Sequence, residues 1–124
     1  MTREWPWGMV LLEDDVEARA QSLPSDFDDR GLAIGESILA VQILHGIDGE
    51  ATAEIWRGSL EWDLLELQVV RFVAISGRIV MGDAAREETV SVTLGRGDHE
   101  LRVLVDEIGS PSRVVFELPR DALR

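Results

Sequence analysis

One stretch of the sequence decides the fold: residues 66–105, ELQVVRFVAISGRIVMGDAAREETVSVTLGRGDHELRVLV. It holds four apolar runs separated by short turns that contain Gly or Asp. In the last two runs, apolar and polar side chains alternate with the period of two that is typical of a strand with one buried face. The alternating apolar residues are Val90, Val92, Leu94, Leu101, Val103 and Val105. This pattern predicts strands joined by tight turns.

Similar runs on both sides of this stretch complete a set of predicted strands. The complete set of predicted strands covers residues 8–12, 38–44, 51–57, 64–75, 78–81, 88–94, 100–106 and 113–118. The Asp48-Gly49 pair between the second and third runs favours a hairpin turn. Short strands at this spacing predict an all-β fold. We expect one domain over residues 1–124, an antiparallel β-sandwich of about eight strands with a jelly-roll-like arrangement.

Two segments near the amino terminus are harder to interpret. In residues 14–22 small and charged side chains alternate as in a strand, although the Ala, Glu and Arg content favours helix. Because the alternation has the period of two that is typical of a strand, we predict a strand over residues 14–22. Residues 25–31, SDFDDRG, predict a single helical turn with Ser25 as the N-cap and Gly31 as its end.

The composition excludes several functional classes. The net charge is −12, with 24 acidic residues against 12 basic ones, so nucleic acid is not expected as a ligand, whereas a basic protein partner fits. No apolar run reaches the roughly 18 residues of a membrane helix, so no membrane association is expected. Acidic residues follow the first apolar run directly, unlike a secretory signal. A cytoplasmic location is therefore expected.

The residues that could support catalysis or bind metal are sparse. The chain has no Cys, and its two histidines, His45 and His99, lie at separate predicted strand ends without a nucleophile elbow. We therefore expect no enzyme activity, no cofactor and no metal site. The acidic clusters could offer oxygen ligands to a cation, but they lack EF-hand spacing and are interpreted as solvated turns. These clusters are Asp26, Asp28 and Asp29, and Asp48, Glu50 and Glu54.

Three segments together resemble the competence-protein family that inhibits the DNA-entry nuclease. They are the acidic turn of residues 26–31, the VRFV and SGRI motifs within residues 70–79, and LGRGDHEL at residues 94–101. The family has comparable segments in the same order, with Trp where this chain has Phe27, and Pro and Tyr where it has Gly95 and His99. The resemblance covers about residues 25–118. It implies a small acidic β-sandwich that acts as an inhibitor or immunity-like partner of another protein.

The candidate partner-binding residues are acids from the first half of the chain and one tryptophan. Residues 1–63 hold 14 acids and four arginines, so most of the excess charge lies there. The proposed set is Asp14, Asp15, Glu17, Asp26, Asp28, Asp29 and Trp62. Trp62 lies between two acids, as an interface anchor with a polar rim would. Trp56, on a predicted strand, is assigned to the core.

Two other functions remain compatible with the sequence. A small-ligand or cation-binding sandwich would hold its ligand on a concave face. A structural homo-oligomer, such as a homodimer, would bury a flat apolar face, and residues 38–44 and 67–74 are apolar on both sides of the strand.

Overall fold

The computed structural model describes residues 1–15, 26–58 and 63–119, in which ten strands form two five-stranded sheets. The strands are β1 (Thr2–Arg3), β2 (Met9–Asp14), β3 (Leu32–Ile34), β4 (Ile38–Gln42), β5 (Ala51–Arg57), β6 (Leu65–Ala74), β7 (Arg78–Asp83), β8 (Thr89–Thr93), β9 (Gly97–Val105) and β10 (Arg113–Leu118). The first sheet has the order β1-β5-β10-β9-β6, and the second β3-β4-β2-β7-β8. The predicted all-β sandwich is confirmed. Strands β1 and β3, which the eight predicted strands do not include, have two and three residues. They are too short for their side chains to show a period of two.

The core lies between the two sheets and is built by alternation along each strand. In β10, Val114, Phe116 and Leu118 point into the core, while in β2 Val10 and Leu12 do the same from the other sheet. All five are at most 1% exposed. A smaller apolar cluster, formed by Leu11, Ala33 and Ala40 with Met9 and Phe27 against it, lies on the outer face of the second sheet.

The sheets are antiparallel except for one pair. β5 and β10 run parallel, from Thr52 beside Arg113 to Arg57 beside Leu118. β10 also pairs antiparallel with β9, so the last strand of the described residues lies in the middle of the first sheet. Parallel neighbours require a crossover connection, and here the chain between them forms β6 to β9.

The predicted hairpin between β4 and β5 is wrong, because the two strands belong to different sheets. A short 3-10 turn, Gly46–Asp48, follows β4, and His45 Nδ1 accepts the Ile47 N–H at 3.2 Å. Leu44 N–H donates to Pro111 O at 2.8 Å, in the loop before β10. The connection is therefore held across the sandwich instead of folding back on β4.

Of the two remaining segments, the predicted strand over residues 14–22 lies mostly outside the described residues, and the predicted helical turn over residues 25–31 is wrong. β2 continues to Asp14, Asp15 begins a turn, and residues 16–25 lie outside the described part of the chain. Residues 26–31 contain no helical turn. The Asp28 carboxylate instead accepts the N–H groups of Arg30 (2.9 Å) and Leu32 (3.0 Å). A short acidic side chain that binds the backbone two residues ahead competes with helix formation.

Charged side chains on both sheets form ion pairs. On the second sheet, Glu13 is 2% exposed and accepts two hydrogen bonds from Arg86, at 2.7 and 3.0 Å. Where the two sheets meet, the buried Asp83 lies 3.3 Å from Arg3 of β1. On the first sheet, Arg102 joins Glu66 (2.7 Å) and Glu117 (2.9 Å), and Arg113 joins Glu54 at 2.6 Å. The Arg3–Asp83 pair joins the two sheets, and the other pairs connect parts of one sheet.

The Glu54 pair predicts one feature of the pH dependence of stability. Hydrogen bonds from Arg113 lower the pKa of the Glu54 carboxyl below its ordinary value of 4.5, although burial opposes the shift. A lowered folded-state pKa stabilises the protein above the unfolded-state pKa, and this stabilisation is lost as the pH falls through the folded-state pKa. In urea unfolding below about pH 5, Glu54→Gln should therefore lose less stability than the wild type. Parallel curves would contradict this assignment.

Candidate functional site

The loops at one end of the sandwich form a continuous surface. Strand pairing fixes this end, because Arg3 lies beside Ala51, Gln42 beside Met9 and Val105 beside Val114. We call the loops there the acidic end: residues 4–8, 26–31, 43–50, 63–64, 84–88 and 106–112. The loops are tied to one another, as Gly46 N–H donates to Trp5 O at 2.9 Å.

The acidic end has a strong excess of carboxylates. Its exposed acids are Glu4, Asp26, Asp28, Asp29, Asp48, Glu50, Asp63, Glu87, Glu88, Asp106 and Glu107. A few arginines lie near them: Arg30 is 4.0 Å from Asp28, and Arg3 is 3.6 Å from Glu88. Arg30 donates to Leu67 O and to Gln68 Oε1, and Arg86 to Glu13. The exposed carboxylates therefore outnumber the arginines beside them, and the local field is negative.

One carboxylate at this end is held by hydrogen bonds. Asp106 Oδ1 accepts the N–H groups of Ser112 (3.0 Å) and Arg113 (3.1 Å), and the Ser112 hydroxyl donates to Oδ2. Burial raises the pKa of the Asp106 carboxyl, but these hydrogen bonds outweigh it and the net pKa is lowered. This carboxylate stays charged and closes the loop between β9 and β10.

The opposite end of the sandwich has a different charge. Arg57 ends β5, Arg78 begins β7, and Arg96 lies in the turn between β8 and β9. Arg71 lies toward the same end of β6, where it pairs with Asp98. These arginines stand among Asp15, Glu36 and Asp98, and Arg78 lies 3.8 Å from Asp15. This end therefore carries charges of both signs, whereas the acidic end is strongly negative.

Three large apolar side chains are exposed among the acids. Trp7 is 63% exposed, Ile47 is 88% exposed and Ile108 is 52% exposed. Trp7 also has a left-handed backbone, with φ 66°. Strained non-glycine residues tend to occur at functional sites. The combination of exposure and strain makes Trp7 the most unusual residue of this surface.

Two open grooves lie on either side of His45. The larger has a volume of about 780 Å³, and the smaller about 280 Å³. The larger is lined by Thr2, Arg3, Glu4, Pro6, His45, Gly46, Ile47, Glu50, Glu87 and Glu88. Four of these side chains are carboxylates, and Ile47 supplies the exposed apolar group. The smaller groove is lined by Trp7 and Phe27, among others.

The structure separates the acids that the sequence groups together. Asp26, Asp28 and Asp29 are exposed at the acidic end. Asp14 is fully buried at the opposite end, where its carboxylate accepts the Ser76 N–H at 3.0 Å, and Asp15 is exposed beside it. The prediction that Asp14 belongs to an exposed face is wrong. Asp14 is the last residue of β2, and its side chain is buried against the turn that contains Ser76.

Of the two tryptophan assignments, that of Trp56 is wrong and that of Trp62 stays a prediction. Glu17 and Trp62 lie outside the described residues. Trp56, assigned to the core, is 43% exposed on the outer face of the first sheet, and its Nε1–H donates to Glu54 at 2.9 Å. Alternation along β5 gives the reason, since Ala53 takes the core position and Trp56 falls on the other face.

Sequence reasoning missed Trp7 and Ile47. A weak signal was present in Trp5-Pro6-Trp7-Gly8, because Pro and Gly mark a turn in which both indoles cannot be buried together. Trp5 is fully buried and donates to Ala51 O at 2.9 Å, so Trp7 is turned outward. Ile47 lies between Gly46 and Asp48, where the sequence shows only a turn.

Two further observations concern ligands and membranes. Within residues 1–15, 26–58 and 63–119, no three His, Cys, Asp or Glu side chains converge as a metal site would require. The part of the chain that the structure describes contains no helix of the length and apolarity that a membrane span needs.

Comparison with known proteins gives a fold but no sequence family. No family model matches the chain, and no curated protein matches it in sequence. Among solved structures, the chain is similar to the crystal structure of ComJ from Bacillus subtilis, an inhibitor of the DNA-degrading activity of NucA. The TM-score is 0.71 at 12% sequence identity, over 96% of this chain and 92% of that chain. The resemblance drawn from residues 25–118 is thus confirmed at the level of the fold.

Proposed function

We propose that the protein is a non-catalytic inhibitor that binds a basic protein, such as a nuclease, through its acidic end. The proposal depends mainly on one observation: exposed carboxylates surround exposed apolar side chains on the loops of a fold shared with a nuclease inhibitor. Fold alone does not determine function, so the argument rests on the chemistry of this surface.

Electrostatics favours a basic partner. A surface rich in unneutralised carboxylates attracts a positively charged protein and raises the association rate, and salt weakens this effect. Because Arg57, Arg71, Arg78 and Arg96 offset the acids of the opposite end, the attraction is strongest at the acidic end and favours an encounter through it. A nuclease needs a positive surface to bind DNA phosphates. An array of carboxylates can occupy that surface in place of the phosphates.

Exposed apolar side chains would supply affinity after the encounter. Interface hot spots are often tryptophans that become buried at the centre of a contact and are ringed by polar residues. Trp7 and Ile47 lie on the two grooves that meet at His45, with Glu4 and Glu50 nearby. This arrangement of apolar anchors within an acidic rim suits a protein interface better than a small-molecule site, because the grooves are open and polar.

The loops are held ready for binding by backbone hydrogen bonds. Ile43 N–H donates to Gly8 O at 3.0 Å, and Leu44 N–H donates to Pro111 O at 2.8 Å. These bonds fix the Trp7 turn and the Ile47 turn relative to each other and to the loop before β10. A surface that is already ordered loses less entropy when it binds.

A capture experiment tests the function. The protein is immobilised at low salt, exposed to a lysate of its native cells and eluted with high salt, and the eluate is assayed for DNA degradation. We expect a basic protein with nuclease activity in the eluate, and suppression of that activity when free protein is added back at low salt. An eluted nuclease that the free protein leaves fully active would refute the inhibitor function.

Charge variants of matched size test the surface. One variant carries Glu4→Gln, Glu50→Gln, Glu87→Gln and Glu88→Gln at the acidic end. The control removes the same charge elsewhere, with Asp15→Asn, Glu36→Gln, Asp98→Asn and Glu100→Gln. We expect the first variant to associate with the captured nuclease about 10-fold more slowly at low salt, and the control to change by less than about 2-fold. Equal slowing would show that net charge, not the acidic end, drives association.

A further inference from the structure

Within residues 1–15, 26–58 and 63–119, strand β8 (Thr89–Thr93) forms an edge of the second sheet that no other strand covers. It pairs with β7 on one side and is the last strand of the sheet on the other. Its sequence, TVSVT, contains no charge, no proline and no glycine, and it has no bulge against β7. Natural edge strands are usually protected by such features. By contrast, the β6 edge is covered, because Arg30 donates to Leu67 O and Val73 N–H donates to Glu36 O.

The outward backbone groups of β8 are available for pairing. Leu94 N–H donates to Gly77 O at 2.7 Å, so the backbone groups of Leu94 face β7. Because these groups alternate along a strand, the backbone N–H and C=O of Thr89, Ser91 and Thr93 face away from β7. Among the described residues, the contact to these outward backbone groups is the Arg57 side chain, which donates to Thr93 O at 2.9 Å. That carbonyl keeps a second lone pair. The edge can therefore accept another strand.

The sequence of β8 is its own mirror image about Ser91. If a second copy pairs antiparallel with a two-fold axis at Ser91, Thr89 lies opposite Thr93, and Val90 lies opposite Val92. Cross-strand Thr–Thr and β-branched apolar pairs stabilise antiparallel strands. Val90 is also 44% exposed, although it lies opposite Met81, which is buried in the core. A neighbouring strand would cover it.

The charges next to β8 complement each other in the same arrangement. Glu87 and Glu88 precede the strand, whereas Arg96 follows it and Arg57 lies at its end. Antiparallel pairing turns one copy around, so Glu87 and Glu88 of each copy lie opposite Gly95 and Leu94 of the other, next to Arg96 and to the strand end that Arg57 contacts. Opposite charges at both ends of the pair offset the repulsion expected between two molecules of charge −12.

From these observations we propose that the protein forms a two-fold dimer through antiparallel pairing of β8 with β8 of a second copy. The two second sheets then join into one continuous sheet across the interface. A strand of five residues spans roughly 17 Å, so the contact is smaller than a standard interface and the dimer is weak. This proposal does not depend on the inhibitor function.

Single cysteines test the pairing directly, because the chain has none of its own. In the proposed register the two Ser91 residues form a hydrogen-bonded pair with Cα atoms about 5.5 Å apart, within the range of a disulfide. Ser91→Cys should therefore become a covalent dimer under mild oxidation, at least about 10-fold faster than the exposed control Ser110→Cys. Equal rates for the two variants would overturn the proposal.

A mixing experiment tests the register. Thr89→Cys and Thr93→Cys should each remain largely monomeric when oxidised alone, because each cysteine faces a threonine. Mixed together, they should form a covalent heterodimer. Crosslinking of each variant with itself would indicate a parallel or shifted pairing and would contradict the two-fold axis at Ser91.

Sedimentation of the unmodified protein completes the test. Between about 1 µM and 1 mM the wild type should show a concentration-dependent rise in mass toward a dimer. Ser91→Pro should remain monomeric, because proline removes an outward N–H but no bond to β7, so the fold is kept. A monomeric wild type at all concentrations, or an equally dimeric proline variant with a wild-type circular dichroism spectrum, would overturn the proposal.

Discussion

Replacing Trp7 with alanine is expected to weaken binding of the captured nuclease by about 30-fold, or roughly 2 kcal/mol, through a faster dissociation rate. Its indole is 63% exposed and close to the acidic rim, so truncation removes an apolar anchor and leaves the charges in place. The free energy of unfolding should change by less than about 0.5 kcal/mol, because little of the side chain is buried. Binding kinetics and urea unfolding measure the two effects.

Trp5 provides the matched control, two residues away. Its indole is fully buried between the sheets, and its Nε1–H donates to Ala51 O at 2.9 Å. Trp5→Ala should lower the free energy of unfolding by about 3–5 kcal/mol. If Trp7→Ala bound the nuclease with wild-type kinetics, the anchor of the acidic end would have to be another residue, and Ile47→Ala would be the next variant to measure.

Arg86→Ala should produce the largest loss of stability from a surface loop, about 3 kcal/mol. Glu13 is 2% exposed and accepts two hydrogen bonds from Arg86, at 2.7 and 3.0 Å. Removing the guanidinium leaves a buried carboxylate without its counterion, which is strongly destabilising. Urea unfolding at neutral pH measures the loss.

The control for Arg86 is an arginine in an exposed pair. Arg71 pairs with Asp98, and the two side chains are 74% and 51% exposed. Because water solvates both charges, Arg71→Ala should cost less than about 1 kcal/mol. The double variant Glu13→Leu with Arg86→Ala should recover most of the loss. Equal losses for the two single variants would mean that burial of Glu13 does not determine the strength of its ion pair.

The limits of the strands could be predicted from the sequence better than which strands pair with each other. Residues 51–57 and 113–118 were predicted with the observed limits, because alternation and turn residues are local signals. That these two strands lie side by side and parallel is not a local property. It follows from packing of the whole chain, and so the Asp48-Gly49 pair suggested a hairpin that the structure does not contain.

The candidate site was only partly predictable, for the same reason. The negative charge and the exposure of Asp26, Asp28 and Asp29 followed from composition and turn chemistry. The gathering of Glu4, Glu50 and Glu87 around one groove depends on which loops meet at one end of the sandwich. The burial of Asp14 likewise depends on where β2 ends against the turn that holds Ser76.

The central position of β10 also has a consequence for synthesis. The ribosome releases β5 long before β10, yet β10 is the strand that joins β5 to β9 in the first sheet. Until Arg113–Leu118 has emerged, the growing chain exposes an incomplete sheet with unpaired edges. The first sheet therefore cannot close until β10 has emerged, and pairings between residues so distant in sequence form slowly. Nascent chains that stop before residue 113 should remain sensitive to protease.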